Sequence, residues 1–149
     1  MRSVVQRVQR ASVSVDDQVI SAIGPGLMVL LGVEQGDGEQ DARAMADKLS
    51  KLRIFQDDQG KMNRSVLDVG GAMLVVSQFT LLGDARGQNR PGFTKAEAPD
   101  RANMLYEICC QRLEELGLQV GKGSFGAHMQ VALVNDGPVT ILLDSHKLF

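Results

Sequence analysis

The sequence predicts a single α+β domain, residues 1–149, whose strands curl into a pair of β-sheets or a small β-barrel beside two main helices. Two observations lead to this fold class. A chain of 149 residues has the length of one domain and can bury a core without disulfides or metals. Its apolar pattern predicts the element order β-β-β-α-β-α-β-β-β, with no internal repeat, linker or low-complexity tract.

The N-terminal third predicts three strands. Residues Val4–Val15 alternate loosely between apolar and polar side chains, as a half-buried strand does. A polar turn at Asp16–Gln18 leads into a second strand at Val19–Ile23, and together they indicate a hairpin. Leu27–Val33 is continuously apolar, which predicts a strand covered on both faces.

Helical spacing of apolar residues predicts a first helix over Gln40–Arg53 and a second over Pro99–Leu116. Pro99 suits the first turn of a helix, and Gly117 suits the position just past its end. Between the helices, a long apolar strand is predicted over Ala72–Leu82.

Three further strands are predicted near Leu118–Val120, Met129–Val134 and Val139–Leu143. The pair Gly137-Pro138 lies between the last two predicted strands. Because proline cannot donate a hydrogen bond to a strand ladder, this pair predicts a tight turn. The polar segment Gly83–Pro99 lacks any periodicity, and long loops of this kind are often functional.

Composition restricts the possible functions. With 16 basic and 18 acidic residues and a pI near 5.6, the chain does not resemble a general nucleic-acid coat, although contact with one end of a nucleic acid stays open. The adjacent Cys109 and Cys110 form no disulfide framework and favour a reducing, intracellular setting. The two histidines, His128 and His146, match no zinc spacing with them, so we expect no metal and no cofactor. No apolar run is long enough to predict a membrane span.

The run Ser77-Gln78-Phe79-Thr80 places two hydroxyls and an amide where the buried strand becomes a loop. A hydroxyl nucleophile needs a base, and a Ser/Thr-His-acid triad with His128 or His146 would have to assemble in space. The hydroxyls can instead bond backbone groups and fix the strand end. As a third possibility, backbone N–H groups at the strand end form an oxyanion hole for a substrate carbonyl.

The polar loop offers a candidate contact for RNA. Arginine binds phosphate through its planar fork, and an exposed aromatic ring can stack on a base. The alternative is a solvated loop whose phenylalanine packs on the core. The residues concerned are Arg86, Asn89, Arg90, Pro91, Gly92 and Phe93.

Over essentially its whole length, the chain resembles the D-aminoacyl-tRNA deacylase family. The two most specific runs are Ser77–Leu81 and Asn135–Thr140, in this order. One departure is Gly92, because the family commonly has serine after Arg-Pro, and this weakens any role for a side chain there. Further matching runs are Met1–Ser14, Gly24–Leu27, Lys51–Phe55, Arg90–Pro91 and Gly123–Ala127.

The resemblance implies a cytoplasmic homodimer that hydrolyses the ester between a D-amino acid, or mischarged glycine, and the 3′ end of tRNA. It also implies that the Gly137-Pro138 peptide is cis and reaches into the partner's active site. There its carbonyls would meet the substrate's amino group and leave no room for an L side chain. Both enantiomers carry the same groups, so attractive contacts discriminate poorly between them, and a rigid steric clash that excludes the L enantiomer is more effective.

Two chemical hypotheses stay open within this resemblance. Either backbone N–H groups near Phe79 and Thr80 stabilise the oxyanion, with water or the tRNA 2′-hydroxyl completing the reaction, or Thr80 is a covalent nucleophile. Two functions of other classes are also open. The chain could be a non-catalytic RNA-end binding module using Arg86–Phe93, or a structural dimer without a substrate.

Overall fold

Six strands form one curled sheet, and two helices pack together across one of its faces. The computed structural model describes residues 1–149. The strands are β1 (Arg2–Val15), β2 (Gln18–Ile23), β3 (Gly26–Gly32), β4 (Phe55–Gln56), β5 (Met62–Arg64), β6 (Ala72–Ser77), β7 (Val120–Lys122) and β8 (Gln130–Asp144). The helices are α1 (Glu39–Lys51) and α2 (Pro99–Glu115), and a single 3-10 turn spans Phe79–Leu82.

The sheet has the order β2-β1-β3-β6-β7, with β8 paired along β1. Strand β1 is antiparallel to β2, β3 and β8, whereas β6 runs parallel to both β3 and β7. Because β2 also approaches β6 and β7, the sheet curls into a nearly closed barrel. The predicted single domain with curled strands and two main helices is therefore confirmed in its fold class.

The buried strand β3 separates two apolar clusters, as its continuous apolar sequence predicts. Leu27, Val29 and Leu31 face the larger cluster beneath the helices, and Met28 faces a smaller cluster within the curl of the sheet. Each strand position thus finds apolar neighbours on both faces of the sheet. No helix is long and apolar enough to span a membrane.

The long predicted strand Ala72–Leu82 is wrong in its second half. Strand β6 ends at Ser77, and the chain then turns into the 3-10 helix. The reason is the length of the neighbouring strand, because β3 pairs with β6 only as far as Leu31 opposite Ser77. Beyond that point no ladder continues to hold the chain extended.

The two predicted strands on either side of Gly137-Pro138 are one strand, β8, and the tight turn between them is wrong. Both halves of β8 pair with β1, and the register shifts between Gln6 and Val8 and again between Val8 and Arg10. Arg7 alone therefore stands opposite Asp136–Val139, which form a bulge. The predicted strand at Leu118–Val120 lies slightly later, at Val120–Lys122, and the hairpin of β4 and β5 was not predicted.

Candidate active site

A cavity of about 750 Å³ opens at the carboxyl end of β6. One side is formed by the whole run Ser77–Thr80, and the opposite side by residues 96–99 at the start of α2. A third wall comes from Phe125, Ala127 and Met129, which lie just before β8 in the chain. The lining is mainly apolar, with a few polar groups concentrated at the strand end, which is the usual composition of a small-molecule site.

The 3-10 turn determines what the strand end presents to the cavity. The Leu81 N–H bonds back to the Gln78 carbonyl at 3.4 Å, so Leu81 is the first residue of the turn with a bond inside it. The N–H groups of Phe79 and Thr80 precede it and have no partner within the turn. These two amides are therefore suited to receive a carbonyl oxygen that becomes negatively charged.

The Thr80 hydroxyl accepts a hydrogen bond from the Gln78 side-chain amide at 2.9 Å. No histidine lines the cavity: His128 is exposed between two lining residues, and His146 lies 2.8 Å from Asp37. The structure thus does not bring a Ser/Thr-His-acid triad together. A threonine without an adjacent base is a weak nucleophile.

Glu97 is the one ionisable side chain that lines the cavity. Its carboxylate accepts a hydrogen bond from the Ala98 N–H at 2.8 Å and lies 3.2 Å from Arg101 Nε. Both carboxylate oxygens thus have a fixed partner. These contacts hold the side chain in place on the cavity wall.

Of the three loop residues predicted to contact RNA, Phe93 belongs to the cavity. Its ring meets the exposed Phe79 ring edge to face, with centroids 5.2 Å apart. Arg86 is exposed but ion-paired with Asp84, whose pKa is held well below its usual range by hydrogen bonds from Arg86. Arg90 is exposed at the loop tip.

Gly137-Pro138 does not line this cavity. The peptide bond between them is cis, as the resemblance implies, and both residues are exposed. The bulge that carries them is anchored by the buried Arg7, whose Nε donates to the Asp136 carbonyl at 2.9 Å and whose Nη1 donates to the Ile54 carbonyl at 2.7 Å. Within one chain, the two predicted parts of the site therefore lie apart.

One group of potential metal ligands consists of Asp37, Asp41 and His146, with ligand atoms within 4.8 Å of one another. None of the three lines the cavity. Asp37 already has a cationic partner, because its Oδ2 lies 2.7 Å from the Met1 ammonium.

The family model described as D-Tyr-tRNA(Tyr) deacylase matches residues 4–144 of the chain. The chain belongs to this family. A relative named D-aminoacyl-tRNA deacylase, from Anaeromyxobacter dehalogenans, is 66% identical, and the match covers 100% of both sequences. A relative of the same name from Thermotoga petrophila is 57% identical, again with 100% of both sequences covered.

Two solved structures share the fold of this deacylase family member. The one titled "c-Myc DNA Unwinding Element Binding Protein" is 42% identical with a TM-score of 0.92, over 97% of this chain and 98% of that one. The other is titled "Structural Analysis of a probable eukaryotic D-amino acid tRNA deacylase" and is 18% identical with a TM-score of 0.81, over 95% and 97% of the two chains. The family resemblance and the fold class drawn from the sequence are both confirmed.

Sequence reasoning missed one wall of the cavity. Phe125, Ala127, Met129 and Val131 all line it, and their spacing of two is the signal that could have found them. Only Met129 and Val131 fall within a predicted strand, so the alternation was not followed back to Phe125. Glu97 was missed as well, and no local pattern distinguishes it from the other charged residues of the loop.

Proposed function

We propose that the cavity at Ser77–Thr80 is the place where this chain performs the reaction of its family, the hydrolysis of the ester between a D-amino acid and the 3′ end of tRNA. The observation that carries this proposal is the position of the Phe79 and Thr80 amides, which have no partner within their turn and lie at the rim of the cavity at the end of β6. An acyl ester passes through a tetrahedral oxyanion, and backbone donors at such a place stabilise it.

In the proposed reaction, a water molecule attacks the ester carbonyl carbon and gives up a proton, which the terminal 2′-hydroxyl of the tRNA or a second water passes to the leaving oxygen. The carbonyl oxygen takes up the negative charge and is held by the amides of Phe79 and Thr80. The intermediate collapses with the 3′-oxygen of the ribose as leaving group, which is reprotonated as the amino acid is released. The aminoacyl ester is already activated towards hydrolysis, so stabilisation of about 2.7–4 kcal/mol for each donor is a useful contribution.

Substitution Thr80→Ala separates this backbone chemistry from covalent catalysis by the hydroxyl. We expect kcat within about tenfold of the parent, whereas removing a true nucleophile costs on the order of a millionfold. The measurement is single-turnover loss of D-tyrosine from D-tyrosyl-tRNA. Thr94→Ala, in the neighbouring loop but not lining the cavity, is the matched control. Complete loss of activity in a folded Thr80→Ala protein would contradict the backbone chemistry.

Selection against L-amino acids is proposed to come from Gly137-Pro138 of a second copy of the chain. These residues are exposed and lie apart from the cavity of their own chain, which supports a role across a homodimer. The outer edge of β8 has no strand partner within the chain, and Leu142 on this strand is 55% exposed. Glycine has no side chain to exclude, so release of mischarged glycine belongs to the same proposal.

Further parts of the proposal concern the tRNA and the setting of the reaction. Phe93 lies at the cavity and is proposed to stack on the terminal base, with Arg86 and Arg90 near the phosphates. We place the activity in the cytoplasm, where its tRNA substrate is found. No metal is proposed to take part, because the charges required can be met by backbone donors.

The first experiment compares hydrolysis of D-tyrosyl-tRNA and L-tyrosyl-tRNA, each with and without EDTA. We expect rapid loss of the D ester alone, unchanged by EDTA. Equal loss of both esters would contradict chiral selection, and inhibition by EDTA would contradict the metal-free chemistry. Binding of tRNA without loss of either ester would favour the RNA-end binding module instead.

A further inference from the structure

Asp37 is a fully buried carboxylate that lies in the turn between β3 and α1, outside the cavity. Its Oδ2 lies 2.7 Å from the Met1 ammonium, which is equally buried, and accepts a hydrogen bond from the Glu34 N–H at 2.7 Å. Its Oδ1 lies 2.8 Å from His146 Nε2. Both oxygens are thus occupied by donors from three separate segments, and a satisfied buried network of this kind holds one geometry.

The turn that Asp37 closes is joined directly to the wall of the cavity. Glu34 and Ala96 form an antiparallel bridge, and the Glu97 N–H donates to the Val33 carbonyl at 3.0 Å. Ala96 and Glu97 both line the cavity. The wall at the start of α2 is therefore held from behind by the same turn that carries the buried carboxylate.

Arg101 provides a second connection between the two. Its Nη2 donates to the Asp37 carbonyl at 2.6 Å, and its Nε lies 3.2 Å from the Glu97 carboxylate. One guanidinium thus joins the backbone of the buried turn to the charged side chain of the cavity. Guanidinium hydrogen bonds have fixed directions, so this connection sets orientation as well as distance.

We propose that Asp37 is a positioning residue for the deacylase reaction, which fixes the turn Glu34–Asp37 and through it the cavity wall at residues 96–98. This inference rests on the proposed location of the active site. The wall contacts the bound substrate in the ground state and in the transition state alike, because it stands opposite the amides that meet the oxyanion. Loosening it therefore raises KM and leaves kcat of the folded enzyme nearly unchanged.

The test is the substitution Asp37→Asn, assayed with D-tyrosyl-tRNA. An amide is uncharged and has a single acceptor oxygen, so if that oxygen faces the Met1 ammonium the NH2 group faces His146, and the turn loses the charge of its anchor in either orientation. We expect KM to rise on the order of tenfold, the lower end of the change that losing one charge-assisted hydrogen bond makes to an equilibrium. A merely destabilised protein would show a lower apparent kcat, from a smaller folded fraction, at the same KM.

One companion variant keeps the test decisive if Asp37→Asn fails to fold. Arg101→Gln removes the second connection at a side chain that is about half exposed, and we expect the same rise in KM. The double variant should show less than the product of the two effects, because both act on one turn. Asp47→Asn is the control: it breaks an ion pair with Arg112 of 2.9 Å between α1 and α2, away from the cavity, and should leave KM unchanged.

The variant Ala127→Phe, which places a ring on the cavity wall, separates the two possible failures. If it impairs hydrolysis while folded Asp37→Asn and Arg101→Gln proteins keep the parent KM, the positioning role is overturned and the active site stands. If none of the three alters the kinetics, the cavity is not the active site and the inference falls with it.

Discussion

Arg7 is the residue whose replacement should most clearly separate the anchoring of the Gly137-Pro138 bulge from the rest of the fold. Its side chain is 9% exposed, and it donates to the carbonyls of Asp136 and Ile54 at 2.9 and 2.7 Å. Methionine at this position keeps the volume of the stem but leaves both acceptors unpaired. Each unpaired acceptor costs about 1–3 kcal/mol, partly offset because no charge has to be buried any longer.

For Arg7→Met we therefore expect a free energy of unfolding lower by about 2–4 kcal/mol, measured by urea denaturation. Because the anchored bulge carries the residues proposed to exclude L substrates, we also expect the ratio of D-tyrosyl-tRNA to L-tyrosyl-tRNA hydrolysis to fall. The control is Arg10→Met, on the same strand but exposed, with an expected change within about 0.5 kcal/mol. A change equally small in Arg7→Met, with selectivity intact, would refute the reasoning.

Two further predictions concern stability. Gly26→Ala would place a Cβ 1.9 Å from the Ala72 carbonyl oxygen, a backbone atom of the adjacent strand, so we expect a loss of about 1–3 kcal/mol or more, against almost none for Gly24→Ala, which meets nothing within 4 Å. Equal urea midpoints for Gly26→Ala and Gly24→Ala would contradict this expectation. The hydrogen bond to Asp37 raises the pKa of His146. The protonated His146 therefore stabilises the fold fully below pH 6.5, and this stabilisation is lost as the pH rises through the raised pKa of His146. The difference in unfolding free energy between the parent and His146→Gln should shrink with rising pH, and a difference that grows would sink the argument.

Local patterns predicted most of the elements because each depends on its own side chains. The apolar stripe of α1 and the continuous apolar run of β3 must be buried wherever they are placed, so both were predicted close to their observed positions. The end of β6 was not predicted correctly, because it is determined by where the neighbouring strand β3 ends. The pairing of both halves of β8 with β1 was missed for the same reason, since Gly137-Pro138 has the composition of a turn.

Some features of the candidate site could likewise be predicted from the sequence, and others could not. Ser77–Thr80 was found from its place at the end of an apolar strand, and the family from two short runs. The absence of an adjacent base for Thr80 could not be predicted, because a triad assembles in space from distant residues. Nor could the contact between Phe93 and Phe79, which lie in different segments and meet only across the folded cavity.

The sequence by itself determined the alternation that makes the strands, the stripes that make the helices and the family to which the chain belongs. Only the tertiary structure decided which segments meet: Phe79 with Phe93 at the cavity, Arg7 with the bulge of β8, and Asp37 with Met1. The physical reason is that periodicity records whether a side chain must be buried but not what buries it. The partner of a strand or of a buried charge is selected by the packing of the whole chain, and no local pattern specifies it.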